Sequence, residues 1–181
     1  WADTVGGVKQ FLNDQLDVAG REATLTLVVF DDKIETVASN VTLTKDYIRD
    51  LVLPGPRGFT SLYDAIGSTI DELGAQFKKS DDRPDNVYFV VMTDGRENSS
   101  YRYSHERVLT MIEHQTNVYS WNFVFLGAEL DSVAIATSLG FKPESSAVYA
   151  TNNYAGAFAN TSNAILRSRS TGDTVAYADS E

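Results

Sequence analysis

The chain has 181 residues, of which 25 are acidic and 15 basic, for a formal net charge of -10. That balance makes nucleic acid a poor partner, because phosphate binding needs a basic face, and an apolar share of 43% excludes a disordered acidic tail as the whole molecule. No cysteine is present, so disulfides, thiol catalysis and cysteine-ligated zinc are excluded.

The length suits one domain with a sizeable core. The acidic charge is accounted for by solubility and is compatible with divalent cations. No apolar run approaches the roughly 20 residues of a membrane span. The N-terminus shows neither a basic start nor an apolar stretch. Together with the lack of cysteine, this favours a cytoplasmic location as the expectation.

Val5, Val8, Phe11, Leu12 and Leu16 recur at helical spacing and predict a helix over 2–16. A β-rich run over 25–30 and another over 34–38 flank Asp31-Asp32-Lys33, which predicts a hairpin. A short helix over 44–51 is broken by Pro54-Gly55-Pro56-Arg57-Gly58. Leu62, Ile66, Thr69, Ile70, Leu73 and Phe77 mark a long amphipathic helix whose last turn carries Lys78 and Lys79, cations suited to the C-terminal dipole.

Val87-Tyr88-Phe89-Val90-Val91-Met92 is apolar throughout, as strands covered on both faces are, and is expected to lie in the interior of a sheet. A helix over 104–115, a strand over 121–126 and a helix over 130–139 ended by Gly140 follow. A short strand over 147–149, a last helix over 155–167 and a polar stretch over 168–181, read as a tail or linker, complete the chain. Alternating strands and helices predict a three-layer α/β fold, with a central, mostly parallel sheet and helices on both faces.

In such folds ligands bind beyond the carboxyl ends of the strands. Asp94 in Thr93-Asp94-Gly95 is delivered there by the apolar strand, and Thr60 in Gly58-Phe59-Thr60-Ser61 lies just before the long helix. Each has a plainer use. Thr60 suits a helix N-cap, and Asp94 suits a turn with Gly95.

Taken together, Gly58-Phe59-Thr60-Ser61-Leu62-Tyr63-Asp64-Ala65-Ile66 and Val90-Val91-Met92-Thr93-Asp94-Gly95 resemble the glycine-threonine loop and the fourth strand of von Willebrand factor A domains. The resemblance runs from residue 2 to about residue 166. It implies a metal-ion-dependent adhesion site, in which Thr60 supplies a hydroxyl and Asp94 a carboxylate to a hard cation, Mg2+ or else Mn2+ or Ca2+. An open position on the ion then takes a carboxylate from a protein partner. Magnesium accepts oxygen donors and retains waters, so the chemistry is consistent.

The family's first loop, Asp-x-Ser-x-Ser, is absent, and Asp179-Ser180-Glu181 does not replace it. The chain opens with what resembles the helix after that loop. The expectation is therefore a fragment, a domain over 1–167 without its first strand, which binds metal weakly or not at all. The missing strand would lie in the middle of the sheet.

Asn98-Ser99-Ser100-Tyr101-Arg102-Tyr103 follows the Asp94 strand. It reads as an exposed loop, with Tyr101, Arg102 and Tyr103 as candidate partner rim because Tyr and Arg favour contacts. His105 and His114 lack ligand spacing and read as surface helix residues; Asp71-Glu72 and Asp81-Asp82 read as solvated charges. No nucleophile elbow or phosphate loop occurs. The leading reading is a metal-dependent binding module without catalysis of its own. The alternative is a scaffold that binds no metal, or a subunit domain serving a neighbouring catalytic unit.

Overall fold

The computed structural model describes residues 1–18, 22–55 and 57–178. Pro56, within the expected helix break, and residues 179–181, the last part of the expected tail, lie outside them. Helix α1 (Ala2–Leu16) is followed by the antiparallel hairpin β1 (Thr24–Phe30) and β2 (Ile34–Thr42), then α2 (Lys45–Asp50) and α3 (Leu62–Lys79). After them come β3 (Tyr88–Thr93), α4 (His105–Tyr119), β4 (Asn122–Gly127), α5 (Ser132–Ser138), β5 (Ser146–Val148) and α6 (Tyr154–Thr171).

Local chemistry sets the boundaries. The Thr44 hydroxyl accepts from the Tyr47 amide at 3.1 Å and starts α2. The Ser104 hydroxyl accepts from the Arg107 amide and starts α4, and the Asn153 side-chain Oδ1 accepts from the Gly156 amide and starts α6. Gly172, at φ +80, ends α6 in the left-handed conformation that glycine adopts without strain.

The three-layer α/β reading holds. Strands β3, β4 and β5 form a parallel sheet in that order. One face of it meets α3, α4 and α5 through Phe89, Val91, Phe123, Phe125, Ile66, Ile70 and Ile112. The other meets α6 through Val124, Ala164 and Ile165, with Phe11 of α1 packed alongside.

The strands do not form one continuous sheet, however. β1 pairs with β2 alone and β3 with β4 alone, so the hairpin is a separate two-stranded sheet, packed against α1 and α2 through Leu12, Leu25, Leu27 and Ile48. No strand joins β1 to β3 among the described residues, which is where the resemblance would place a further one.

The expectation that the 87–92 strand is interior is corrected accordingly. β3 is an edge of the parallel sheet, with Tyr88, Val90 and Met92 half-buried, while β4 is central and buried at five of its six positions. The physical reason is that β3 has helices over both faces. An apolar run reports that both faces are covered; it does not report pairing on both edges.

The stretch after residue 167 also differs from the polar tail expected. α6 runs on to Thr171, and the segment beyond it lies back on the body. Val175 is fully buried against Val124 and Ile165. The Ser145 hydroxyl donates to the Val175 carbonyl, and the Tyr177 amide donates to the Glu144 carbonyl at 2.9 Å. Burial pushes the Tyr177 phenol up to about 12. No helix among the described residues is long and apolar enough to cross a membrane.

Candidate metal centre

The centre is built where α3 begins and β3 ends. An α-helix leaves its first N–H groups without intrahelical partners. α3 satisfies its own from another part of the chain. Its N-cap residue, Ser61, makes no side-chain cap bond. Instead the segment after β3 supplies acceptors to the amides of Thr60, Tyr63 and Asp64. Asn98 Oδ1 accepts from the Thr60 amide at 2.9 Å, and the Asn98 amide donates back to the Thr60 carbonyl at 3.0 Å. Glu97 Oε2 accepts from the Tyr63 amide at 3.0 Å, and the Ser100 hydroxyl accepts from the Asp64 amide at 3.0 Å. The Ser61 and Ser99 hydroxyls share a bond at 2.9 Å.

Glu97 is consumed in this lock. Besides Tyr63, its carboxylate accepts from the Ser99 amide at 3.0 Å, the Ser100 amide at 2.7 Å and the Ser100 hydroxyl at 2.8 Å. It has no open lone pair to offer a cation. Asp64, 1% exposed, is occupied in the same way by the amides of Tyr101, Arg102 and Tyr103.

Thr60 and Asp94 are left free within this framework. The Thr60 hydroxyl lies against Gly95, so close that a Cβ there would come within 2.6 Å of Oγ1. The Thr60 side chain thus lies against the residue that follows Asp94, and its loop is bonded to the segment after β3 through Asn98. The plainer uses of both residues are not realised. Thr60 does not cap α3, and the Gly95 amide turns onto the Thr93 hydroxyl at 3.2 Å, not onto Asp94. Asp94 is exposed and makes no hydrogen bond or ion pair with a described residue. Its charge is felt nearby: burial, then Tyr154 and Asp94, push the Tyr149 phenol above its ordinary value.

A second anchor holds the other side of the Thr60 loop. Asp31, 3% exposed at the end of β1, accepts from Arg57 Nε through Oδ2 and from the Lys33 amide at 2.7 Å through Oδ1. Its carbonyl accepts from the Ser61 amide at 2.8 Å. The Arg57 guanidinium holds the Asp31 carboxyl down at about 2, against the opposing effect of burial.

The three rim candidates face different ways. Tyr101 projects, 85% exposed. The Arg102 guanidinium lies over the Tyr103 ring at 5.7 Å. Tyr103 itself lies against α3: its ring touches Gly67 so closely that a Cβ there would clash, and its hydroxyl donates to Asp71 at 2.7 Å. Asp71, read as a solvated charge, is therefore a partner of Tyr103. Two other large apolar residues on this side of the sheet are exposed, Phe59 beside Thr60 and Leu130 after β4. His105 bonds the Ser138 hydroxyl at 3.0 Å and His114 stacks edge-on with Tyr119.

Sequence reasoning did not pick out Asp31, Asp64, Glu97 or Asn98. Asp31 did carry a signal, since it is the first residue after an apolar strand, the position that also singles out Asp94. No group of three or more His, Cys, Asp or Glu able to hold a metal occurs among the described residues.

The architecture is a von Willebrand factor A-like fold. Similar solved structures are those of proximal thread matrix protein 1 (PTMP1) from the mussel byssus, at 13% identity and a TM-score of 0.64, over 90% of this chain and 42% of that one. A second structure of the same protein, with a zinc-occupied MIDAS motif (metal-ion-dependent adhesion site), matches at 14% identity and 0.64, over 89% and 42%. The chain thus spans less than half the length of that matrix protein. No family model and no curated protein matches the chain.

Proposed function

We propose that the chain is a protein-binding module of the von Willebrand factor A family whose divalent-cation site uses Thr60 and Asp94. The observation that supports this reading is that these two side-chain oxygen donors have no partner among the described residues, while Glu97, Asn98 and Asp64 beside them are bonded to their neighbours. An Asp94 carboxylate serving a turn or an ion pair would not stand free. The MIDAS motif of the mussel matrix protein, on the same fold, holds zinc. Here the donors are a hydroxyl and a carboxylate, hard oxygen ligands that suit Mg2+, Mn2+ or Ca2+. They are two of the roughly six oxygens magnesium wants, so affinity is weak and waters fill the remaining positions. An acidic side chain of a protein partner would displace one of those waters. Exposed Tyr101, Phe59 and Leu130 on the same side provide the apolar contact that such a partner needs. Catalysis is not part of the proposal.

The test is a Mn2+ titration followed by nuclear magnetic resonance, alongside calorimetry with Mg2+. Paramagnetic broadening is expected first at Thr60, Asp94 and Gly95, at millimolar rather than micromolar metal, and is expected to disappear in Asp94→Ala. Broadening spread over the acidic surface and insensitive to Asp94 would return the chain to the scaffold reading. Tight, Asp94-dependent binding would show that two protein donors suffice and that the account of the ligand set is mistaken.

A further inference from the structure

We infer that Asp64 is the positioning residue of the partner rim: its buried carboxylate, and not a metal or a partner, sets the backbone of residues 101–103. The inference rests on the proposed function for what the rim is for, but its geometry stands apart from the metal. Asp64 lies in the first turn of α3, where an acidic side chain ordinarily answers the helix dipole or caps its own helix. It does neither. Its own amide is taken by Ser100, and its side chain points across to the neighbouring loop. Oδ1 accepts from the Arg102 amide at 2.9 Å and the Tyr103 amide at 2.8 Å, and Oδ2 accepts from the Tyr101 amide at 3.1 Å. Three successive backbone N–H groups converging on one carboxylate make a nest whose anion is part of the protein.

A carboxylate 1% exposed is tolerated only when donors satisfy it. All three are made to a carboxylate, and the two to Oδ1, at 2.9 and 2.8 Å, are the shorter. The segment they hold belongs to no helix or strand and has no ladder to fix it. Reciprocally, if those amides turned away, the carboxylate would be stranded in the core. The rim is thus held in one shape before anything binds, and Tyr101 is kept outward while Tyr103 is kept against α3. A rim held in this way loses little conformational freedom on contact with a partner.

The test is amide hydrogen exchange on the full chain. In the unaltered protein the amides of residues 101–103 are expected to be protected although they lie in a loop; exchange at free-coil rates would overturn the inference without any variant. In Asp64→Asn the side-chain amide presents an NH2 where a backbone N–H needs an acceptor. Exchange at 101–103 should then rise at least tenfold, while residues 124–126 of β4 keep their protection. Asp71→Asn, which weakens only the Tyr103 hydroxyl bond, should leave those three amides protected. Unchanged exchange in Asp64→Asn, or equal opening in Asp71→Asn, would assign the loop's order to something else. Mn2+ broadening at Thr60 in the unaltered chain decides the metal reading separately, so the two ideas can fail independently.

Discussion

The contact between Gly95 and Thr60 offers a way to damage the proposed metal centre while sparing the fold. An ideal Cβ on Gly95 would lie 2.6 Å from Thr60 Oγ1, which is 0.8 Å short of the 3.4 Å at which ordinary contact begins. The Thr60 backbone cannot yield, because Asn98 holds its amide at 2.9 Å and its carbonyl at 3.0 Å. In Gly95→Ala the Thr60 side chain must therefore rotate, carrying its hydroxyl roughly 1 Å or more from its place. Magnesium and manganese accept little deviation from octahedral geometry. A site with two protein donors that loses one should bind at least about tenfold more weakly, or about 1.4 kcal/mol. Stability should move little. Overpacking against one side-chain tip costs about 1 kcal/mol, at the low end of its range, and the loss of glycine's freedom in the unfolded chain offsets about half of that. Gly95 is not among the glycines with left-handed φ, so alanine adds no backbone strain. The assay pairs Mn2+ broadening at Thr60 with urea unfolding. A Gly95→Ala protein that binds manganese as the parent does would show that the Thr60 hydroxyl is not a ligand. One that loses several kcal/mol would show that the contact is structural.

Three further expectations follow from the same geometry. Asp31 has its pKa lowered to about 2, so its contribution is present above the unfolded value near 3.8 and is lost as pH falls from there toward 2; Asp31→Asn should flatten acid unfolding in that window and lower stability at neutral pH, and an unchanged acid profile would remove Asp31 as the anchor of the Thr60 loop. Tyr101→Ala should leave stability within about 0.5 kcal/mol, whereas Tyr103→Ala, which empties the contact with Gly67, should cost about 1–2 kcal/mol by urea unfolding; equal effects would contradict their different placement. Val175→Ala should cost about 1.5–2.5 kcal/mol because the side chain is fully buried, and a neutral result would mean that the segment after α6 is not docked in solution.

How much of this was legible beforehand depended on whether a residue's role was local. The helix over 62–79 and the hairpin around Asp31-Asp32-Lys33 are written in period and turn chemistry, and they form as expected. Thr60 and Asp94 were singled out by their places at a strand end and before a helix, and then by resemblance, as two motifs in order. The partners that hold them were not, because Asp64, Glu97 and Asn98 act across some 34–39 residues of chain, and a carboxylate in a first helical turn looks the same whether it answers the dipole or crosses to another loop. The docking of Val175 and Tyr177 was missed because two inward residues in a polar stretch are too few to show a period. The place of β3 was misjudged for a different reason, since covering by helices and pairing by strands leave the same apolar run.

The mutual capping of the two loops bears on what limits metal binding. In many metal sites the ion must gather ligands from loops that are otherwise free, and its binding energy is spent partly on ordering them. Here the amides of Thr60, Tyr63 and Asp64 are satisfied by Asn98, Glu97 and Ser100, and that exchange is between protein groups alone. The spacing of the Thr60 loop and the 97–100 segment is therefore set with no ion in place, and on the proposed reading a cation would bind without ordering either. On that reading the number of donors, and not the assembly of the site, would restrict affinity. A further oxygen ligand, whether from the same protein or from a partner's carboxylate, adds its full contribution to a geometry already in place. On the proposed reading, an adhesion site of this kind would hold its ion loosely until a partner arrives, and partner and metal binding would reinforce each other by linkage.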